Sequence, residues 1–136
     1  MAKKRIEGKT IVKGQTEGDA LVLAEPLSFL GELDINTGII TDGVGKGESI
    51  VNKVLIYPCS KGSSGNWRFL VGLAGEGNAP AAIINSEQPG FTETQGAILA
   101  NIPLMCKLEE DPFQAIKTGD HVRVNATEGF IEVEPQ

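Results

Sequence analysis

The stretch Lys61-Gly62-Ser63-Ser64-Gly65 gathers an ammonium group, two hydroxyls and two glycines within five residues. The apolar run Val54-Leu55-Ile56-Tyr57 precedes it and stops at Pro58. Trp67, Leu70, Val71 and Ala74 follow at the i, i+3, i+4, i+7 spacing of one helix face. The serine turn is therefore expected to join a strand end to a helix start, where backbone N–H groups without intrahelical partners favour an anion. Gly62 lets the backbone come close to a ligand. A serine in such a field binds a carboxylate or phosphate, or gives up its proton readily enough to serve as a base. The competing reading is a plain helix cap, a position that serine favours.

Other chemical groups are sparse. The one histidine, His121, alternates with Val122 and Val124 and is expected on an exposed strand face with Arg123. With its one histidine expected on a surface strand, the chain gives no support to a Ser-His-Asp triad, and without a second histidine histidine-rich zinc sites are excluded. Cys59 and Cys106 stand far apart, fit neither a zinc pattern nor a disulfide framework, and read as small buried thiols. Glu109-Glu110-Asp111 reads as a solvated loop. Gly31, Asp34 and Asp42 lie in a long loop from Leu27 to Gly47, anchored by Phe29, Leu30, Leu33 and Ile35. Turn-making is the default role of such residues, and closure over a ligand or partner is the alternative. Neither a phosphate-binding Gly-x-x-x-x-Gly-Lys-[Ser/Thr] loop nor a Gly-x-Gly-x-x-Gly turn is present, so nucleotide binding gains no support. One candidate base is on hand, with no metal ligands and no second acid to complete a catalytic set.

The elements that must position this turn follow from periodicity. Strands are expected over Arg5 to Gly14, Ala20 to Ala24, Val51 to Tyr57, Ala81 to Ile84 and Leu104 to Cys106. The helix opened by the serine turn should stop at Gly75 and Gly77. Thr92-Glu93-Thr94-Gln95 has the form of a capping box, heading a helix through Asn101 that Pro103 ends. Asp111-Pro112-Phe113-Gln114 looks like a second cap, with a short helix running to Gly119. His121 to Asn125 and Phe130 to Val133, around Ala126-Thr127-Glu128-Gly129, read as a terminal hairpin. Strands interleaved with short helices imply an α/β fold, a mixed sheet with helices packed on it.

Composition agrees. A chain of 136 residues, 40% hydrophobic and 22% charged, suits one domain over residues 1–136 with a single core. A formal net charge of -6 offers no field for nucleic acid phosphates or anionic lipid. The clustered cations Lys3, Lys4 and Arg5 read as a frayed, solubilising tail. No apolar run reaches the length of a membrane span and no signal-peptide core follows Met1, so a cytoplasmic location is expected.

Taken in order, several segments resemble the aconitase X swivel-domain family. They are Gly18-Asp19-Ala20-Leu21-Val22, Pro26-Leu27-Ser28-Phe29-Leu30-Gly31, Asp34 to Ile40 with its Thr37-Gly38, and Gly47-Glu48-Ser49-Ile50. The match continues through Lys53-Val54-Leu55-Ile56, Pro58, Lys61-Gly62-Ser63 and Gly77-Asn78-Ala79-Pro80-Ala81-Ala82-Ile83-Ile84, and ends with Lys117-Thr118-Gly119-Asp120 and the hairpin. The resemblance implies a swivelling β/β/α domain like the mobile domain of aconitase. It further implies the small subunit of a two-subunit hydro-lyase, active only with a large subunit of the aconitase X type. That subunit would carry an iron-sulfur cluster, with no cofactor in this chain. The implied reaction on a small anionic substrate is dehydration of (R)-5-phosphomevalonate to trans-anhydromevalonate 5-phosphate in the archaeal mevalonate pathway. The family's proposed proton acceptor, the serine of a Lys/Arg-Gly-Ser turn, falls on Ser63, and Lys61, Gly62 and Ser64 would surround the substrate. Archaeal-type chains often continue Gly-Ser-Thr-Val-Gly-Ser-Tyr, whereas this chain reads Gly62-Ser63-Ser64-Gly65-Asn66-Trp67, which makes Ser64 a second candidate base. Relatives in the family dehydrate cis-3-hydroxy-L-proline, which is the alternative reaction. A non-catalytic swivelling interaction domain is a third reading.

Overall fold

Short runs of branched and aromatic residues form the centre of the sheet because such side chains fill a pleated surface covered on both faces. The computed structural model describes residues 3–61 and 65–136, with Leu30 by its backbone alone. In chain order the elements are β1 (Lys4–Glu7), β2 (Lys9–Val12), β3 (Gln15–Val22), α1 (Phe29–Glu32), β4 (Val54–Tyr57) and α2 (Asn66–Gly75). They continue with β5 (Ala82–Asn85), α3 (Phe91–Ala100), β6 (Leu104–Cys106), α4 (Pro112–Ala115), β7 (His121–Asn125) and β8 (Phe130–Glu134). The strands are ordered β1-β8-β7-β3-β4-β5-β6-β2. Every residue of β4, β5 and β6 is buried.

Strand β3 serves two layers. Gln15 to Asp19 pair antiparallel with β7, and Ala20 to Val22 pair parallel with β4. From there β4, β5 and β6 continue parallel, with Val54 opposite Ala82 and Ile83 opposite Leu104. The antiparallel layer is β7, β8 and β1, where Val122 lies opposite Val133 and Ile6 opposite Ile131. Alternation then sorts the side chains. Val54, Ile56, Ala82, Ile84 and Met105 meet Val122, Val124, Ile131 and Val133 between the two β layers. Leu55, Tyr57, Ile83 and Leu104 point the other way, against Leu70 and Leu73 of α2 and Ala97 of α3. The α/β class expected from the sequence and the β/β/α layering that the resemblance implies are thus what the chain adopts.

Two glycines permit this packing. At Gly96 a Cβ would lie 2.8 Å from the Cα of Trp67, so α3 approaches α2 closely only because no side chain intervenes. At Gly8 a Cβ would lie 2.5 Å from Leu108 Cδ2 and 3.2 Å from the Cys106 carbonyl oxygen. Here one expectation fails: the stretch from Arg5 to Gly14 is two strands. Gly8 divides it, and β1 and β2 then pair with β8 and β6 at opposite edges of the strand order. Bonds from Gly8 N to Gly129 O (3.0 Å) and from Thr10 Oγ1 to Ala126 O (2.6 Å) hold the crossing. Lys4 and Arg5 consequently belong to a paired strand, with Lys4 bridging Glu110 and Arg5 stacked on Phe130, and are not a frayed tail.

Helix starts differ from expectation at one place. α3 begins at Phe91 with Gly90 as its cap, and Glu93 reaches back to Gly90 N at 3.4 Å, so Thr92 is not the cap. The extended Gly90 already turns the chain into the helix, which leaves the threonine inside the first turn. At α4 the expected cap is present, with Asp111 accepting from Phe113 N at 3.0 Å. That helix ends at Ala115 and not at Gly119, because buried Ile116 takes an extended conformation.

Candidate active site

Parallel β strands end where crossover connections leave the sheet, and open α/β sheets bind ligands at such carboxyl ends. β4 ends at Tyr57, and Pro58, Cys59, Ser60 and Lys61 lead outward. Gly62, Ser63 and Ser64 lie outside the described residues; the chain is described again from Gly65, and α2 begins at Asn66. A strand end and a helix start therefore flank the serine turn, as its sequence indicates.

The flanks are held by polar side chains taken fully out of water. Among the described residues the buried polar or charged ones are Asn66, Asn85, Glu93 and Asp120. Asn66 and Asn85 each bind a main-chain carbonyl beside the turn. Asn85 Nδ2, at the end of β5, donates to Tyr57 O at 3.3 Å, and Asn66 Nδ2, at the start of α2, donates to Lys61 O at 3.1 Å. Glu93, the third residue of α3, accepts from the Tyr57 hydroxyl through Oε2, and through Oε1 from Ser60 Oγ at 3.2 Å and Gly90 N at 3.4 Å. Burial pushes the Glu93 carboxyl above the usual carboxylate range, and these donors pull it part of the way back. Burial raises the Tyr57 phenol well above its ordinary value, and the neighbouring Glu93 charge adds to this. Asn85 Oδ1 has no hydrogen-bond partner among the described residues.

Lys61 is placed by a second set of contacts. Its N–H donates to Leu27 O at 2.9 Å and Leu27 N donates to Cys59 O at 3.2 Å, so the loop ahead of α1 runs alongside the strand exit. The half-exposed ammonium lies 2.7 Å from Glu32 Oε2, and this hydrogen bond raises the Lys61 pKa. Glu32 Oε1 accepts from Ser28 N at 2.8 Å, which fixes the carboxylate. The arrangement places an ammonium group, paired with Glu32, at the surface beside the strand exit.

The remaining sequence candidates lie elsewhere. His121 and Arg123 share the outer face of β7, His121 at 3.3 Å from Asp19 and Arg123 at 3.2 Å from Glu17. Cys106 is buried in β6, whereas Cys59 is only half-buried, and burial raises both thiols. Glu109, Glu110 and Asp111 are exposed. Asp34 makes a turn, its carboxylate accepting from Asn36 N at 2.9 Å. Among the described residues no three His, Cys, Asp or Glu side chains group to hold a metal ion, and no helix is long and apolar enough to cross a membrane. The sequence marks neither Asn66 nor Asn85 as a site residue, and shows Glu93 only within a capping motif. An asparagine ending the apolar run Ala82-Ile83-Ile84 was the available signal, since a polar residue there sits at the carboxyl edge of the sheet.

Comparison with known proteins places this geometry in context. The aconitase X swivel domain model matches residues 5–133. The phosphomevalonate dehydratase small subunit of Archaeoglobus fulgidus is 44% identical over 129 residues, covering 92% of this chain and 95% of that protein. The protein of the same name from Methanosarcina acetivorans is 41% identical over 131 residues, covering 95% and 90%. The crystal structure of Thermococcus kodakaraensis aconitase X in its holo-form superposes with a TM-score of 0.89 at 36% identity, covering 96% of this chain and 98% of that one. With a family match along nearly all of the chain and a solved relative of the same fold, the chain belongs to the aconitase X swivel domain family.

Proposed function

We propose that this chain is the small subunit of a two-subunit hydro-lyase that dehydrates (R)-5-phosphomevalonate to trans-anhydromevalonate 5-phosphate. The observation that carries this reading is near full-length similarity to archaeal proteins named phosphomevalonate dehydratase small subunit. That shared name favours it over cis-3-hydroxy-L-proline dehydration and over a non-catalytic interaction domain.

Dehydration breaks a C–H and a C–O bond, forms a C=C bond and releases water; the leaving hydroxyl would be drawn off by the Lewis-acidic iron of the large subunit. Ser63 is the proposed acceptor of the carbon-bound proton. Ser64 is the second candidate, and Lys61, Gly62 and Ser64 receive the anionic groups of the substrate. The iron-sulfur cluster belongs, in this reading, to a large subunit of the aconitase X type. In this reading the chain is one swivelling domain, works in the cytoplasm, and is inert alone.

The test is the reconstituted pair, assayed side by side with 5-phosphomevalonate and cis-3-hydroxy-L-proline. Ser63→Ala is expected to lower turnover by about 10²- to 10⁴-fold while the subunits still associate. Near-normal activity of Ser63→Ala overturns the base assignment, and loss in Ser64→Ala alone moves the role by one residue. Turnover of the proline compound alone overturns the substrate.

A further inference from the structure

We infer that Glu93 is a positioning residue for the reaction, holding the exit of β4 from Tyr57 to Lys61, the described stretch that leads to the proposed site, through the Tyr57 and Ser60 hydroxyls. The inference rests on the reading of the serine turn as the site of dehydration, and it adds a residue on a different element, α3.

A carboxylate without exposure is costly unless it is paired or hydrogen-bonded. Glu93 is fully buried, and its partners among the described residues are all neutral: the Tyr57 hydroxyl, the Ser60 hydroxyl and the Gly90 N–H, with the Ser60 N–H also acting on it. The nearby cation, Lys61, is committed to Glu32. As the third residue of α3, Glu93 closes a capping box on Gly90 N, but that bond uses Oε1 and does not call for the Tyr57 hydroxyl on Oε2. An apolar residue at 93 would fill the same space between α3 and β4 without burying a charge. What the carboxylate supplies, and an apolar residue does not, is a two-sided grip. Oε2 takes the side chain that ends β4 and Oε1 takes Ser60, one residue before Lys61. From the other side Asn66 holds the Lys61 carbonyl. The segment from Tyr57 to Lys61 is thereby fixed from both helices that flank it, and a small misplacement of a reacting group costs rate far more than it costs stability.

The experiment uses Glu93→Gln, which keeps the shape but puts a donor where one of two hydroxyls must now find an acceptor. In the reconstituted pair kcat is expected to fall about tenfold or more, with KM and affinity for the large subunit within about twofold of wild type. Ser60→Ala should show the same split, and Ser60→Thr, which keeps the hydroxyl, should restore turnover. In the isolated full chain, Glu93→Gln should speed hydrogen exchange at the Lys61 amide and leave the β7–β8 amides unchanged. Unchanged kcat in Glu93→Gln, or equal turnover in Ser60→Thr and Ser60→Ala, overturns the inference. If the wild-type pair does not dehydrate 5-phosphomevalonate, the substrate reading fails by itself. The exchange rate at Lys61 then decides the role of Glu93, unaltered protection refuting it.

Discussion

The parallel strands carry two unlike interiors. Toward β7 and β8 the contact is apolar throughout, and charges stay on the outside, where Lys4 meets Glu110 and Arg123 meets Glu17. Toward the helices, at the carboxyl ends of β4 and β5, three polar side chains are fully buried: Asn66, Asn85 and Glu93. Asp120, the other buried polar residue described, accepts from Lys117 N at 2.9 Å and Gln136 N at 3.2 Å, and so ties down local backbone. Glu93 instead gathers side chains from a separate element. The helix side has a large apolar cluster of its own, so the division is local to the strand exits, where buried polar side chains cost stability that the β/β interface does not give up.

The largest test of this division is Ile131→Ala, in the apolar interface. It is expected to cost about 2–5 kcal/mol, read from urea unfolding midpoints, while kcat per folded molecule in the reconstituted pair stays at the wild-type value. A loss of kcat without a loss of stability would break the comparison. Next in size is the pH response of Glu93. Burial raises its folded-state pKa, so over the interval from the ordinary glutamate value up to the raised one the folded state holds a proton that the unfolded state has released. Stability from this group is full below the ordinary value and is lost as pH rises through the folded one. Glu93→Gln should therefore gain in stability relative to wild type as pH rises across that interval. A constant difference would mean that the carboxyl feels no burial penalty. The smallest effect is expected on the outer face, where Arg123→Gln should change stability by less than about 0.5 kcal/mol in thermal melts. A larger loss would show that the surface pairs of β7 contribute more than their exposure suggests.

Much of this was legible in the sequence because it depends on local signals. The apolar runs at Val54, Ala82 and Leu104 are buried strands, Asp111 caps its helix, and the hairpin after Asp120 forms around Ala126-Thr127-Glu128-Gly129. Phe29 and Leu33 anchor the loop that follows β3, as their size suggests. What escaped depends on long-range packing. Gly8 splits one apparent strand because its surroundings include Leu108, a hundred residues away in sequence. Glu93 was visible in a capping pattern, but its partners Tyr57 and Ser60 lie on another element, so periodicity could not reveal its burial. The roles of Ser63, Ser64 and Gly62 fall outside the described residues and rest on the experiments above.

The pairing of the first strand with the last has a topological meaning. Lys4 lies opposite Val133, and the two strands run antiparallel, so the chain enters and leaves the domain at one place on its rim. Joining Lys3 to Pro135 would close only a short span, at little cost in loop entropy. Two connections attached there would emerge side by side and leave the β1–β8 pairing in place.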